Sequence, residues 1–248
     1  MRLKTGIWGL RWPGGLPAVR TLQSHPLLWA GLGTLVVAAL ALGCTSGDTG
    51  GSSSVPTHPG TTGISTMFRN DPARTGLFPD TGALPTGQLA WKFKTGGFVR
   101  SSPAVSGNVV YVGGNDKYIY ALDAASGTLR WKFKTGDRVF SSPAVSGALV
   151  YIGSRDDYLY ALDAATGAER WRFKTDYWVD SSPAVCGALV YVGSEDQGSG
   201  DDYLYALDTA TGTVRWKFAT GHFVQSSPAA SGGLVYVGSN DGYLYALK

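Results

Sequence analysis

From Trp91 onward, apolar and polar positions alternate in short bursts and never at helical spacing. Leu129–Lys134 (LRWKFK) puts Leu129, Trp131 and Phe133 on one side and Arg130, Lys132 and Lys134 on the other. That period of two is what a half-buried strand requires. Ahead of it stand Val109–Val112 (VVYV) and Tyr118–Leu122 (YIYAL), and before them the small residues of Ser101–Val105 (SSPAV). The order then recurs: Trp91–Arg130 spans 40 residues, Trp131–Arg170 40, Trp171–Arg215 45 and Trp216–Lys248 33. Four short antiparallel strands in each period of about 40 residues make one blade of an all-β propeller. The chain carries four such repeats.

The fourth repeat stops at Ala246-Leu247-Lys248, and Thr86-Gly87-Gln88-Leu89-Ala90-Trp91 has the sequence of the half that would follow. Leu89–Phe93 is therefore expected to close the last blade from the N-terminal side. Two rings satisfy this. One chain closes on itself at roughly 90° per blade, or two chains exchange the strand in a swapped homodimer of eight blades at roughly 45° per blade.

The turns are regular. Asp123-Ala-Ala-Ser126-Gly127, Asp163-Ala-Ala-Thr166-Gly167 and Asp208-Thr-Ala-Thr211-Gly212 each precede a tryptophan, Trp131, Trp171 and Trp216. The Asp carboxylate can accept from backbone amides ahead of it, and Gly supplies a left-handed position. The run from Ala121 through Asp123 and Gly127 to Trp131, and its copies, resembles the tryptophan-docking motif of PQQ-like (quinoprotein-type) propeller repeats. Trp91 with Gly87 fits the same frame, and Phe68–Gly76 (FRNDPARTG) resembles the opening segment of such propellers, so the resemblance covers residues 67–248.

The copies differ in one place. The turns after the first and third strands are nearly constant, whereas the segments before each Ser-Ser-Pro change chemistry: Phe98 and Arg100, then Arg138 and Phe140, then Tyr177, Trp178 and Asp180, then His222, Phe223 and Gln225. A Val recurs among them (Val99, Val139, Val179, Val224) and is expected to point inward. Aromatic residues with arginine are the profile of an interface core, so these loops are the candidate binding face for a protein partner. Unconstrained drift of crossover loops would more often leave small polar residues.

Ser101, Ser102 and their copies are not nucleophiles, because no histidine recurs beside them. Small residues are what inner strands need where they converge on an axis, and Pro103 suits an edge. Glu195, Asp196, Asp201 and Asp202, in a third-repeat loop longer by five residues, read as a solvated loop with Ca²⁺ ligation as the alternative. His25, His58 and His222 are too few and too scattered for a zinc site.

Composition adds the compartment. The formal charge of +3 depends on Arg2, Lys4, Arg11 and Arg20, after which the chain is nearly neutral, so nothing predicts a nucleic-acid footprint. Those basic residues lead into Leu27–Gly43, 17 residues without a charge, ending at Cys44. The segment suits a signal h-region, and Ala41-Leu42-Gly43-Cys44 resembles the lipobox of bacterial lipoproteins, with Cys44 as the lipidation site. A cleaved secretory signal or an uncleaved anchor are the other readings, and all three place the domain outside the cytoplasm. Residues 45–66, rich in Gly, Ser, Thr and Pro, read as a flexible linker spanning roughly 25 Å. Cys186 stands where the other repeats have Ser106, Ser146 and Ser231, a tolerated small residue, and there is no CxxC motif.

The chain thus divides into a signal and anchor (1–44), a linker (45–66) and a propeller (67–248). The combination of this repeat with a lipid anchor resembles the propeller lipoproteins of the outer-membrane β-barrel assembly machinery. That resemblance implies a non-catalytic envelope scaffold with a protein partner. Quinoprotein dehydrogenases use the same repeat to hold PQQ and Ca²⁺, but they carry adjacent cysteines and long insertions that this chain lacks, so neither cofactor is expected. A peptide- or polysaccharide-binding sensor is a further alternative.

Overall fold

The computed structural model describes residues 86–195 and 202–248, and these contain strands and turns only. The anchor at 1–44 with Cys44, the linker at 45–66, the Phe68–Gly76 segment, Asp196 and Asp201 lie outside the described residues. The first repeat forms β1 (Ala104–Ser106), β2 (Val109–Gly113), β3 (Tyr118–Asp123) and β4 (Leu129–Lys134). The second gives β5 (Ala144–Ser146), β6 (Leu149–Gly153), β7 (Tyr158–Asp163) and β8 (Glu169–Lys174). The third gives β9 (Ala184–Cys186), β10 (Leu189–Gly193), β11 (Asp202–Asp208) and β12 (Val214–Thr220), and the fourth β13 (Ala229–Ser231), β14 (Leu234–Gly238) and β15 (Leu244–Leu247). Each repeat is an antiparallel sheet in sequence order, four-stranded in the first three and three-stranded in the last.

Alternation within strands builds two apolar faces per sheet. Tyr111, Ile119, Ala121 and Trp131 of the first sheet pack against Val145, Val150, Ile152, Tyr160 and Leu162 of the second. The same relation holds between the second and third sheets and between the third and fourth. Between Ala121 and Leu122 the register slips by one, so Ala121 pairs with Trp131 and Leu122 with Leu129. That bulge leaves Arg130 free to turn back onto the Asp123 turn, and it recurs at Ala161 and at Ala206.

Successive sheets are tied together twice. At the outer edge, each tryptophan docks on the turn of the following sheet. The indole N–H of Trp91 donates to the Ala124 carbonyl at 2.9 Å, Trp131 to Ala164 at 3.0 Å and Trp171 to Thr209 at 3.0 Å. The ring lies over the turn glycine: a methyl at Gly127, Gly167 or Gly212 would come within 2.5–2.6 Å of it, and all three have φ near +70°. Trp216 packs with Tyr191, 5.8 Å between ring centres. The carboxylate of each turn Asp gathers its own loop. Asp163 accepts from the amides of Ala165 and Thr166 and from Arg170, which holds its carboxyl at about 2, well below the usual range. Asp123 and Asp208 behave alike with Arg130 and Arg215.

At the inner edge the serine pairs do more than save space. Ser141 Oγ accepts the Gly153 amide within its sheet and donates to the Ser181 carbonyl of the next. The second serine works between sheets: the amides of Ser102, Ser142 and Ser182 donate to Oγ of Ser142, Ser182 and Ser227 at 2.9–3.1 Å. Ser141 and Ser181 are fully buried, so these hydroxyls are tolerated there only because they are bonded.

One expectation differs from the structure. Within a single chain Leu89–Phe93 does not pair with β15, and residues 86–100 form no strand. The reason lies in the two ties. Trp91 is docked on the first sheet as the fourth strand of a preceding blade would be, and four steps of this fixed geometry leave β15 apart from it. The end faces are bare accordingly. Val105 is 50% exposed where Val145 is 1%, and Leu244 is 76% exposed where Ile119, Leu159 and Leu204 are fully buried.

Candidate variable-loop interface

The loops that differ between repeats are brought together on one side of the row of sheets. Backbone bonds clamp each crossover to the loop between the second and third strands of the next sheet. The amides of Asn115, Arg155, Glu195 and Asn240 donate to the carbonyls of Phe98, Arg138, Trp178 and Phe223 at 2.9–3.1 Å. Val139, Val179 and Val224 are fully buried beneath, as the recurring Val requires, while Val99 at the first end is half exposed. The loops are thus a stiff frame on which the variable side chains stand.

The first crossover presents Phe98, 78% exposed, and Arg100, whose guanidinium lies 5.0 Å from the Phe140 ring centre. Arg138 is exposed, and Phe140 is half-buried. The third crossover stacks Tyr177 on Trp178 at 4.7 Å, and the fourth sets His222 edge-on to Phe223 at 4.3 Å. Gln225 is exposed and accepts from the Asn240 amide group at 3.4 Å.

The centre of the cluster is a residue outside the crossovers. The Arg155 guanidinium lies between Phe140 and Trp178, 4.0 and 4.2 Å from their ring centres, and is bidentate to Asp180 (Nε to Oδ1 2.9 Å, Nη2 to Oδ2 2.5 Å). A planar cation stacked on two rings and forked onto a carboxylate is a geometry arginine alone supplies. Asp180 raises the Arg155 pKa further.

Beside it Glu195 is 3% exposed, and its Oε1 has no hydrogen-bond partner. Burial is the main cause that pushes its carboxyl up to about 7, with the Asp180 charge adding to it and Gln225 and Arg155 opposing. Glu195 and Asp202 were expected in a solvated loop; both are buried, because Glu195 is drawn under the Trp178 carbonyl and Asp202 opens β11.

Arg155 and Glu195 share a repeat position with Asn115 and Asn240, one residue after Gly114, Ser154, Ser194 and Ser239. That position varies as sharply as the crossovers, and the variation was the signal that would have found it. The opposite rim, with the Asp123, Asp163 and Asp208 turns, repeats the same contacts in each copy.

Comparison with known proteins fits this geometry. A family model described as outer membrane protein assembly factor BamB matches residues 75–139 and 179–248. Among solved structures, BamB from Moraxella catarrhalis superposes with a TM-score of 0.53 at 22% identity, over 64% of this chain and 52% of that one. The chain therefore spans about half the length of that structure. Quinohemoprotein alcohol dehydrogenase ADHIIG from Pseudomonas putida HK5 gives 0.54 at 26% identity, over 61% of this chain and 30% of the enzyme. The computationally designed Ika4 protein gives 0.57 at 19% identity, over 65% of this chain and 98% of the design. No curated protein sequence matches the chain.

Proposed function

Because the chain belongs to the propeller family described as outer membrane protein assembly factor BamB, we propose that it is a non-catalytic scaffold of the cell envelope. It is held at a membrane through Cys44 and binds a protein partner through its variable loop face. The observation that carries this reading is the Arg155 cluster. At the one rim where the repeats differ, two aromatic rings, an arginine and a carboxylate are locked into a rigid patch flanked by Phe98 and Phe223. Rigid aromatic and arginine groups in a half-buried setting are what binding hot spots are made of.

A quinoprotein-type site is the second reading, since ADHIIG shares the fold. Ca²⁺ in such a site wants free anionic oxygens. Here Asp180 is already neutralised by Arg155, and burial favours the protonated form of Glu195 up to about pH 7. Among the described residues, Asp180 and Glu195 therefore do not offer the cation free anionic oxygens, and no step through PQQ follows from them.

The test is recovery of envelope proteins on the tagged chain, compared with a variant carrying Trp178→Ala and Phe223→Ala. The expected result is a partner captured by the former and lost by the latter, with a loss on the order of 100-fold in affinity for two hot-spot rings. A quinone absorption band on mixing the protein with PQQ and Ca²⁺ would instead favour the enzyme.

A further inference from the structure

The two bare ends of the row of sheets fit one another, and this goes beyond the scaffold reading. We infer that two copies of the chain join end to end, each giving residues 89–93 to the open edge of the other's β15, to form one closed ring.

The missing piece can be specified from the three complete sheets. In each, the third strand takes a fourth of the form Leu/Val/Glu-Arg-Trp-Lys/Arg-Phe, with Ala121 opposite Trp131 and Ile119 opposite Phe133. The pairs Ala161 with Trp171 and Ala206 with Trp216 repeat this. β15 offers Leu244, Tyr245 and Ala246 in the same frame and, among the described residues, has no strand on that edge. Residues 89–93 (LAWKF) match this form at Leu, Trp, Lys and Phe, with Ala90 in place of the Arg, belong to no strand, and leave Leu89 75% exposed. The register that follows sets Ala246 opposite Trp91, Tyr245 opposite Lys92 and Leu244 opposite Phe93.

Side chains agree with this register. In every complete sheet a cation from the fourth strand covers the first tyrosine of the third. Lys132 lies 4.7 Å from the Tyr118 ring, Arg172 4.8 Å from Tyr158 and Lys217 3.7 Å from Tyr203. The corresponding tyrosine of the fourth sheet, Tyr243, is 68% exposed, and the corresponding cation is Lys92.

The apolar faces agree as well. Trp91 and Phe93 already pack on Val112, Tyr120 and Leu122 of the first sheet, and Val105 beside them is uncovered. Once β15 joins this segment, Leu244 falls onto the Val105 side of the same layer, where Ile119 meets the second sheet. One chain cannot make both contacts, because its own β15 stands four blade steps away. A second copy can, and two identical contacts related by a two-fold axis close the ring without leaving an edge.

The test uses the full chain in detergent, with two differently tagged copies expressed together. Expected are co-purification of both tags and a protein mass by sedimentation of twice that of one processed copy. Amides of residues 89–93 and 244–247 should then exchange slowly with solvent. Leu244→Lys alters a side chain that is exposed in a single copy, so the fold should survive. It should weaken self-association by on the order of 100-fold, because an unpaired charge would be buried at the contact. A single-copy mass with fast exchange at both segments overturns the inference, as does a dimer that Leu244→Lys leaves intact. Neither result depends on whether an envelope partner is found.

Discussion

At the scale of single residues, the variable face is organised by Arg155, whose contacts join two successive crossovers. Phe140 comes from the crossover before its sheet, and Trp178 and Asp180 come from the crossover after it. Glu195 shares this setting and gives it a pH dependence. Its carboxyl is neutral in both folded and unfolded chains below about pH 4.5. Between there and about pH 7 the unfolded chain loses the proton first, so stability falls with rising pH and levels above about 7. Glu195→Gln removes this loss. Its melting temperature should match the unaltered protein near pH 4 and exceed it above pH 7, by the equivalent of about 2 kcal/mol. A difference that stays constant across this range would assign the effect to packing alone. The aromatic and charged residues of the crossovers were visible by comparing repeats within the sequence. Arg155 was not singled out, and Glu195 was read only as part of a solvated acidic loop, because both are set by residues of a neighbouring repeat and spacing along a strand does not report contacts between sheets.

At the scale of elements, the tryptophan and the turn glycine form one joint. Trp131 is buried against the Gly167 turn and donates to the Ala164 carbonyl, and Tyr111 leans on its ring at 5.8 Å. Trp131→Ala should cost about 3–5 kcal/mol in thermal unfolding. Gly167→Ala puts a methyl into the ring at a φ of +73°, so it carries both a collision and backbone strain of about 1 kcal/mol. With Trp131 already removed only the strain should remain, and the two substitutions should be markedly less than additive. This joint was legible because Asp, Gly and Trp recur at fixed spacing. The bulge that follows Ala121 was not, since strict alternation would have continued through Arg130. The third repeat shows how a local change is absorbed. Tyr120, Tyr160 and Tyr245 donate to Asp116, Asp156 and Asp241 in the loop just before their own strand, whereas Tyr205 donates to Asp176 of the crossover that enters its sheet. Asp176 stands where the other repeats have Gly96, Gly136 and Gly221, so a carboxylate is kept beside the phenol in the repeat whose loop is longer.

At the scale of the whole row, each sheet touches only its neighbours, so stability is a sum of blades and joints. Loss of one inner tie should therefore weaken one joint. Ser182→Ala leaves the buried Ser142 amide without its acceptor and should cost about 1–3 kcal/mol. Amide exchange should quicken on either side of that joint and not at the far end; uniform quickening would show instead that the row opens as one unit. The 40-residue period made the blade architecture plain before any coordinates, including the need for a strand like Leu89–Phe93 at the last edge. What the period could not show is where that strand goes, because blade rotation is set by how tightly Ser, Val and Trp pack between sheets.

The inner serine ladder also has a direction. Each amide along it gives its hydrogen to the hydroxyl one repeat further on, so along the ladder the first sheet gives a hydrogen and the last receives one. Like a row of arrows, such a ladder can be lengthened by adding a tail to a tip and never by setting tip against tip. Any repeat grafted onto this protein, by duplication in nature or by design, would therefore have to keep the same sense along the axis.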